Sequence, residues 1–510
     1  MRIGTGVADL SFADGHGLFG FGPRGGRGVA VPVGSDDHDT LQARALYVDD
    51  AGQKLLVVSF DMPSGSRIVH KALLDALARE GARFAPGQLW VVGTHTHSAP
   101  GHYFGNLYDV FGQWPTGYRR DVARELVSKG LAAARKALAT PRACKVGVSH
   151  GVLWGAGRNR SLAPFVRNFG GDLGRWRAEI GHPPPADASP EEQAVDPRLT
   201  VLAFVAKSDG RPLATWATWC CHPASIRRAP LRAYHRDWPG VAVDTLEKGK
   251  TAVPFAMMHQ SANGDVTALP SGERRVTRPM ERVRDLGRKI GAAWIAAFED
   301  AAAKAAEAPL ELGFRAFAPR GAGLPPFEIG QPVLAGSEEL DPGFVVKALG
   351  EARTFRWRRP PHRPKLPALG PLQGILRGLP ALRPSPEHPM SLLRLGSHLF
   401  FASPFEQSTL AAWSTEKALV ATWLEQRNEH VTASAIGLVG DYAGYVTTPL
   451  EYDLQNYEGG HTIYGRNQRG ALEGVWSAMI TDAPLDASAP AYTLSEPALA
   501  ARAKEIAGAL

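Results

Sequence analysis

Two histidines stand one residue apart in Gly93-Thr94-His95-Thr96-His97-Ser98-Ala99-Pro100, directly after the apolar run Leu89-Trp90-Val91-Val92. In an extended backbone, residues i and i+2 face the same way, so the spacing predicts that both imidazoles project together where a strand yields to a loop. That geometry suits a metal ion; two solvated or separately bonded loop histidines are the plain alternative. Other segments repeat the theme of a polar group at an expected strand end. His222 follows Trp216-Ala217-Thr218-Trp219 and precedes Pro223. Its neighbours Cys220 and Cys221 point to opposite faces of a strand, so at most one could share its surroundings, and both read as core residues. Gln260-Ser261-Ala262-Asn263-Gly264-Asp265-Val266-Thr267 follows an apolar run and, taken alone, reads as a tight Asn-Gly turn. Pro404-Phe405-Glu406 follows an expected strand, and Tyr445-Val446-Thr447-Thr448-Pro449 leads into Gln455-Asn456-Tyr457-Glu458-Gly459. Polar groups gathered at several strand ends are the pattern of an open α/β active site, here suited to a metal and an acyl substrate.

The elements that must position these groups follow from periodicity. Strands are expected at Ala43 to Val48, Lys54 to Phe60, Lys145 to Ser149, Leu199 to Val205, Leu213 to Trp219, Leu392 to Leu395 and Leu399 to Ala402. Helices are expected over Val69 to Glu80, Tyr118 to Leu138, Met280 to Glu307 and Thr409 to Gln426. The alternation predicts an α/β fold with mixed sheets flanked by helices and an active site at strand ends. Between Arg315 and Pro389 prolines and arginines crowd together, as in Arg356-Trp357-Arg358-Arg359-Pro360-Pro361, and regular structure is not expected. The segment reads equally as a lid facing an amphiphilic ligand or as a solvated insertion. No internal sequence repeat and no dividing linker is evident, so one large domain is expected.

Composition sets the outer bounds. The 510 residues are 44% hydrophobic and 21% charged, an ordinary globular balance with ample material for a core. A formal charge of +7 is spread along the chain without a Lys/Arg block, so no nucleic-acid partner is expected. Three cysteines give no disulfide framework. No apolar stretch reaches the roughly 18 to 20 residues of a membrane span, and the opening Met1-Arg2-Ile3-Gly4-Thr5-Gly6 lacks a signal-peptide core. A cytoplasmic protein is expected, or a secreted one if a leader was removed.

In order and content these segments resemble the catalytic domain of the neutral (neutral/alkaline, non-lysosomal) ceramidase family. The resemblance runs from Gly6-Val7-Ala8-Asp9 through Gln42-Ala43-Arg44-Ala45, the histidine segment, Asn159-Arg160-Ser161, Gly264-Asp265-Val266, Phe405-Glu406 and Tyr445-Val446-Thr447-Thr448 to Gln455-Asn456-Tyr457-Glu458 and Thr462-Ile463-Tyr464-Gly465. It implies a hydrolase of linear amide bonds, with one zinc ion per chain, that cleaves ceramide or a similar N-acyl lipid to a fatty acid and a sphingoid base. It further implies zinc ligands His95, His222, Glu406 and Tyr445; general metal-site rules would not have selected a tyrosine phenolate. His97, Arg160, Asp265, Thr267 and Tyr457 fall at positions around the scissile amide. In this scheme Asp265 handles the proton of the attacking water, His97 and Tyr457 donate to the oxyanion or leaving nitrogen, and Arg160 positions polar substrate atoms.

The chain departs from the family pattern where Thr267 and Ala268 replace the usual serine and proline, and a glycine-rich pocket segment is missing from the middle region. It also stops at Leu510, before the immunoglobulin-like C-terminal domain of many relatives. These departures bear on the substrate, so an amidase or peptidase for a soluble N-acyl compound and a non-catalytic lipid-binding homologue stand as alternatives. Contact with a lipid interface is expected in place of a membrane span.

Overall fold

A computed structural model describes the chain except for residues 23–24, 34, 36–37, 227–231, 250, 252, 271–277, 338–360, 371, 373, 375–377, 380–381, 483, 488–496 and 509–510. The Arg356 to Arg359 run therefore lies outside the described residues.

The fold repeats one path three times. The first unit consists of β1 (Arg2–Asp9), β2 (Gln42–Asp50), β3 (Gln53–Phe60), α1 (Arg67–Arg79), β4 (Leu89–Gly93) and α2 (Arg120–Ala139). The second has β5 (Arg142–Val152), β6 (Arg198–Ala206), β7 (Pro212–Trp219), α3 (Asp237–Glu247), β8 (Ala256–Gln260) and α4 (Pro279–Ala303). The third has β9 (Leu310–Phe317), β10 (His388–Leu395), β11 (His398–Ala402), α5 (Thr409–Arg427), β12 (Thr432–Ile436) and α6 (Gln468–Thr481). In each unit the first three strands pair antiparallel, and the fourth returns through a helix to lie parallel to the third. The last helix covers the first two strands and packs on the crossover helix. The expectation of no repeat holds for residue types and fails for topology, because a β-β-β-α-β-α path requires only matching polarity patterns and chain turns.

Alternation within the strands assembles the core. Leu46, Leu202 and Leu393 turn inward to a shared central cluster, while Ala45, Val201 and Leu392 face the helices of their own unit. With both faces buried, the strands are apolar at nearly every position. Trp216 joins the three units: it meets Trp90 edge-on at 6.2 Å and stacks on Phe400 at 5.3 Å. The first two units also share strand pairing, though only Arg2 and Ile3 of β1 partner Ala143 and Arg142 of β5.

The expected strands and helices are present with shifts of a few residues. Met280 to Glu307 ends earlier, at Ala303, and Ala306 bridges to Val146. Strand β1 was not expected, because Gly4 and Gly6 dilute its pattern. The glycine at Gly4 is required by packing: a Cβ there would sit 1.9 Å from the Ala137 carbonyl oxygen, and one at Gly147 would sit 1.8 Å from that of Ala301. The Arg315–Pro389 region is framed by regular strand, since β9 and β10 pair from Leu310↔Leu395 to Phe317↔His388. Its described interior holds a short helix, Pro332–Ala335, and a buried Lys365 whose ammonium donates to Glu328 O and Thr462 O at 3.0 and 2.7 Å. No helix among the described residues is long and apolar enough to cross a membrane.

Candidate metal centre

The polar groups lie just past the carboxyl ends of the third and fourth strands of the three units. His95 follows β4, His222 follows β7, Glu406 follows β11, and Tyr445 lies in the loop after β12. A parallel two-residue ladder sets Glu406 directly opposite Tyr445. His95 is not in extended backbone: β4 stops at Gly93 and His95 takes φ +73°, a left-handed conformation costly for a residue with a Cβ. The imidazoles of His95 and His97 do converge, Nε2 to Nε2 at 3.3 Å, but through this turn and not through strand alternation.

Backbone carbonyls fix how the histidines face. His95 Nδ1 donates to Pro63 O at 2.7 Å and His222 Nδ1 to Val266 O at 3.0 Å, so in each ring the Nε2 lone pair is the inward group. Both Nε2 atoms approach Glu406 Oε2, at 3.2 and 2.8 Å, and Tyr445 Oη lies 3.2 Å from His222 Nε2. Lone pairs aimed at one another in a buried site need a cation between them. Four ligands each about 2.0–2.1 Å from a tetrahedral ion are separated by roughly 3.3 Å, which these spacings approach. The residues thus fit a metal ion, and the buried imidazoles of His95, His97 and His222 by themselves form a group able to hold one.

The electrostatics agree. Burial raises the Glu406 pKa, but His95 and His222, when they carry a proton at Nε2, hold it well below the ordinary glutamate value; a metal ion between the three groups would play the same part. Burial, and then the charge of Arg160, lowers the His222 pKa, in the direction of the neutral imidazole that binds metals. Burial and the Glu406 charge push the Tyr445 phenol well above its usual value. Phenolate at this position therefore depends on nearby positive charge, and Arg160 Nη2 donates to Tyr445 Oη at 3.3 Å.

The remaining expected residues divide into two groups. Arg160 and Tyr457 adjoin the centre: the guanidinium lies 5.3 Å over the Tyr457 ring, which meets Tyr445 edge-on at 5.4 Å. Arg160 also donates to Glu458 Oε1 at 2.9 Å and to Gly264 O at 2.7 Å. Asp265 and Thr267 are hydrogen-bonded to neighbouring segments. Asp265 Oδ1 accepts from the Thr409 amide and hydroxyl, both at 2.8 Å, and Oδ2 accepts from Asn159 Nδ2 at 2.7 Å. Burial raises its pKa to about 6. Thr267 Oγ1 accepts from the Leu269 amide at 3.2 Å.

Several participants escaped the reading of the sequence. Asn263, read as a turn residue, donates to Glu406 Oε2 at 3.2 Å. Tyr442 donates to Glu406 Oε1 at 2.7 Å, and the His461 ring lies tilted 5.0 Å from that of Tyr445. Each sits within a few residues of a motif already singled out, which is the only signal the sequence offers for them.

The model of a protein family described as neutral/alkaline non-lysosomal ceramidase, N-terminal, matches residues 3–274 and 348–473. The chain belongs to this family. Neutral ceramidase of Mycobacterium tuberculosis is 27% identical over 519 residues, covering 92% of this chain and 75% of the relative. Neutral ceramidase of Pseudomonas aeruginosa is 26% identical over 542 residues, covering 94% and 74%. Among solved structures, a ceramidase complexed with C2 aligns with TM-score 0.75 at 22% identity, over 97% of this chain and 77% of that one. The crystal structure of the Pseudomonas aeruginosa neutral ceramidase aligns with TM-score 0.70 at 21% identity, over 94% and 74%. These likenesses establish the fold, and membership in the ceramidase family places the chain among the hydrolases of amide bonds.

Proposed function

We propose that this protein hydrolyses the N-acyl amide of ceramide or a ceramide-like lipid, releasing a fatty acid and a sphingoid base, with one zinc ion held by His95, His222, Glu406 and Tyr445. The observation that carries this reading is the convergence of two oriented Nε2 lone pairs on one oxygen of Glu406, with the Tyr445 phenol beside them. A bound zinc ion would supply polarisation of the amide carbonyl and a water whose pKa is lowered to about 7. The protein's own residues supply the rest. His97, 3.3 Å from His95 and outside this ligand set, holds and moves a proton at Nε2. Arg160, tied to Glu458, keeps its positive charge beside the Tyr445 oxygen and over the Tyr457 ring. The Tyr457 hydroxyl donates to the developing oxyanion or to the leaving nitrogen. Asp265 contributes by anchoring Asn159 and the start of α5.

The test is turnover of a short-chain ceramide against a series of N-acyl amino acids by the purified protein, with elemental analysis for zinc. Release of sphingosine by a protein carrying one zinc per chain is expected. Turnover confined to N-acyl amino acids refutes the lipid assignment, and full turnover by metal-free protein refutes the zinc assignment.

A further inference from the structure

The two carboxylate oxygens of Glu406 have separate environments. Oε2 faces His95 Nε2, His222 Nε2 and the Asn263 amide, whereas Oε1 accepts the Tyr442 hydroxyl at 2.7 Å. The Tyr442 ring is buried and held on several sides, by Tyr108 at 4.4 Å, Phe19 at 5.5 Å and Phe104 at 6.1 Å. Its backbone is braced against the same segment that orients His95. Ser64 Oγ donates to Asp441 O at 2.6 Å, while the preceding Pro63 carbonyl accepts His95 Nδ1. Gly440 N donates to Val91 O in β4 at 2.7 Å, and Glu406 N donates to Gly444 O at 2.9 Å. The 440–444 turn therefore ties the strand leading to His95 to the residue bearing the carboxylate.

We propose that Tyr442 is a positioning residue that occupies Glu406 Oε1 and confines this carboxylate to binding the ion through Oε2 alone. The proposal rests on the metal-site reading above. A carboxylate chelating through both oxygens would take up the coordination position that the water and the amide carbonyl need, and a catalytic ion requires that position open. The phenol O–H, a donor, also withdraws electron density from the carboxylate, and such hydrogen-bonded partners orient metal ligands and tune the ion's affinity.

The experiment compares wild type, Tyr442→Phe and a control, Tyr464→Phe, which removes an equally buried hydroxyl, one that instead contacts His388 Nε2 at 2.8 Å. Zinc affinity is measured by chelator competition, and the visible spectrum is recorded after loading with cobalt(II). Tyr442→Phe is expected to change zinc affinity about 10- to 100-fold and to weaken the cobalt bands as Glu406 gains a second bond, while Tyr464→Phe matches wild type. If Tyr442→Phe does not fold, X-ray absorption of zinc-loaded wild type decides instead: a single Glu406 oxygen at bonding distance supports the proposal, and chelation by both oxygens overturns it. Affinity and spectrum unchanged in a folded Tyr442→Phe, or altered equally in Tyr464→Phe, also overturn it. Wild-type protein that binds neither ion refutes the metal-site reading, and this inference with it.

Discussion

Residues 2–139 and 142–303 follow the same path, and each lays its long helix so close to its first strand that only glycine fits below: Gly4 under Ala137 and Gly147 under Ala301. Yet their chemistry leaves from different strands. The first unit presents His95 after its fourth strand, while the loop after its third carries Asp61. The second unit presents His222 after its third strand and places Asn263 and Asp265 after its fourth. The third unit, on the same plan, uses both exits, giving Glu406 and Tyr445. The repeated scaffold thus brings six strand ends to one place, and the residues filling those exits differ unit by unit because nothing in the packing dictates them.

The largest expected effect tests whether the units are equal partners in one centre. His95→Ala, His222→Ala and Glu406→Ala each remove a proposed ligand from a different unit, and each is expected to abolish zinc retention and lower amide hydrolysis on the order of a thousandfold or more. A folded variant that keeps zinc and activity would remove its unit from the centre.

Next in size are the packing glycines. Gly4→Ala and Gly147→Ala push a methyl into a helix carbonyl, and each is expected to cost about 1–3 kcal/mol in urea unfolding. Gly313, the counterpart in β9, meets only the side chains of Met479 and Leu485, both at 3.3 Å, so Gly313→Ala should cost much less. Equal costs at all three sites would show that the third unit packs as tightly as the others.

A third comparison uses pH. Burial raises Asp61 to about 7, against the pull of Arg236 and Arg44, and raises Asp265 to about 6. An acid whose pKa rises on folding favours the folded state while protonated, so its contribution is complete below about pH 4 and fades as pH climbs through the folded value. Asp61→Asn should therefore be relatively less destabilising at pH 8 than at pH 4, with the change ending near pH 7, and Asp265→Asn should change in the same direction. Parallel melting curves of variant and wild type across that range would contradict the assignment. The smallest effect is expected at the exposed Arg135–Glu80 pair, where Glu80→Ala should cost no more than about 1 kcal/mol by thermal melting.

Much of this was legible in the sequence. The apolar runs marked most strands, and the polar residues just past them marked the exits, because hydrophobic period and turn chemistry are local properties. What stayed hidden was non-local. Strand β1 was masked by the glycines that its contact with α2 demands. Asn263 and Tyr442 carry no local mark of their partner, since Glu406 lies outside the immediate stretch of chain around either residue. Asp265 stands in a motif of the right order, and that its carboxylate accepts from Asn159 and Thr409 is visible only when three segments meet.

The sequence by itself determined the α/β rhythm and which segments end in groups able to bind a metal, for these follow from residue type and spacing along a few neighbouring positions. Tertiary structure alone decided that the rhythm closes into three like units and that His95 reaches its partners through a left-handed turn. It also decided that one oxygen of Glu406 faces the histidines while the other faces Tyr442. Those outcomes depend on contacts between residues tens to hundreds of positions apart, where packing and hydrogen-bond satisfaction within and across units select one arrangement from the many that each segment allows.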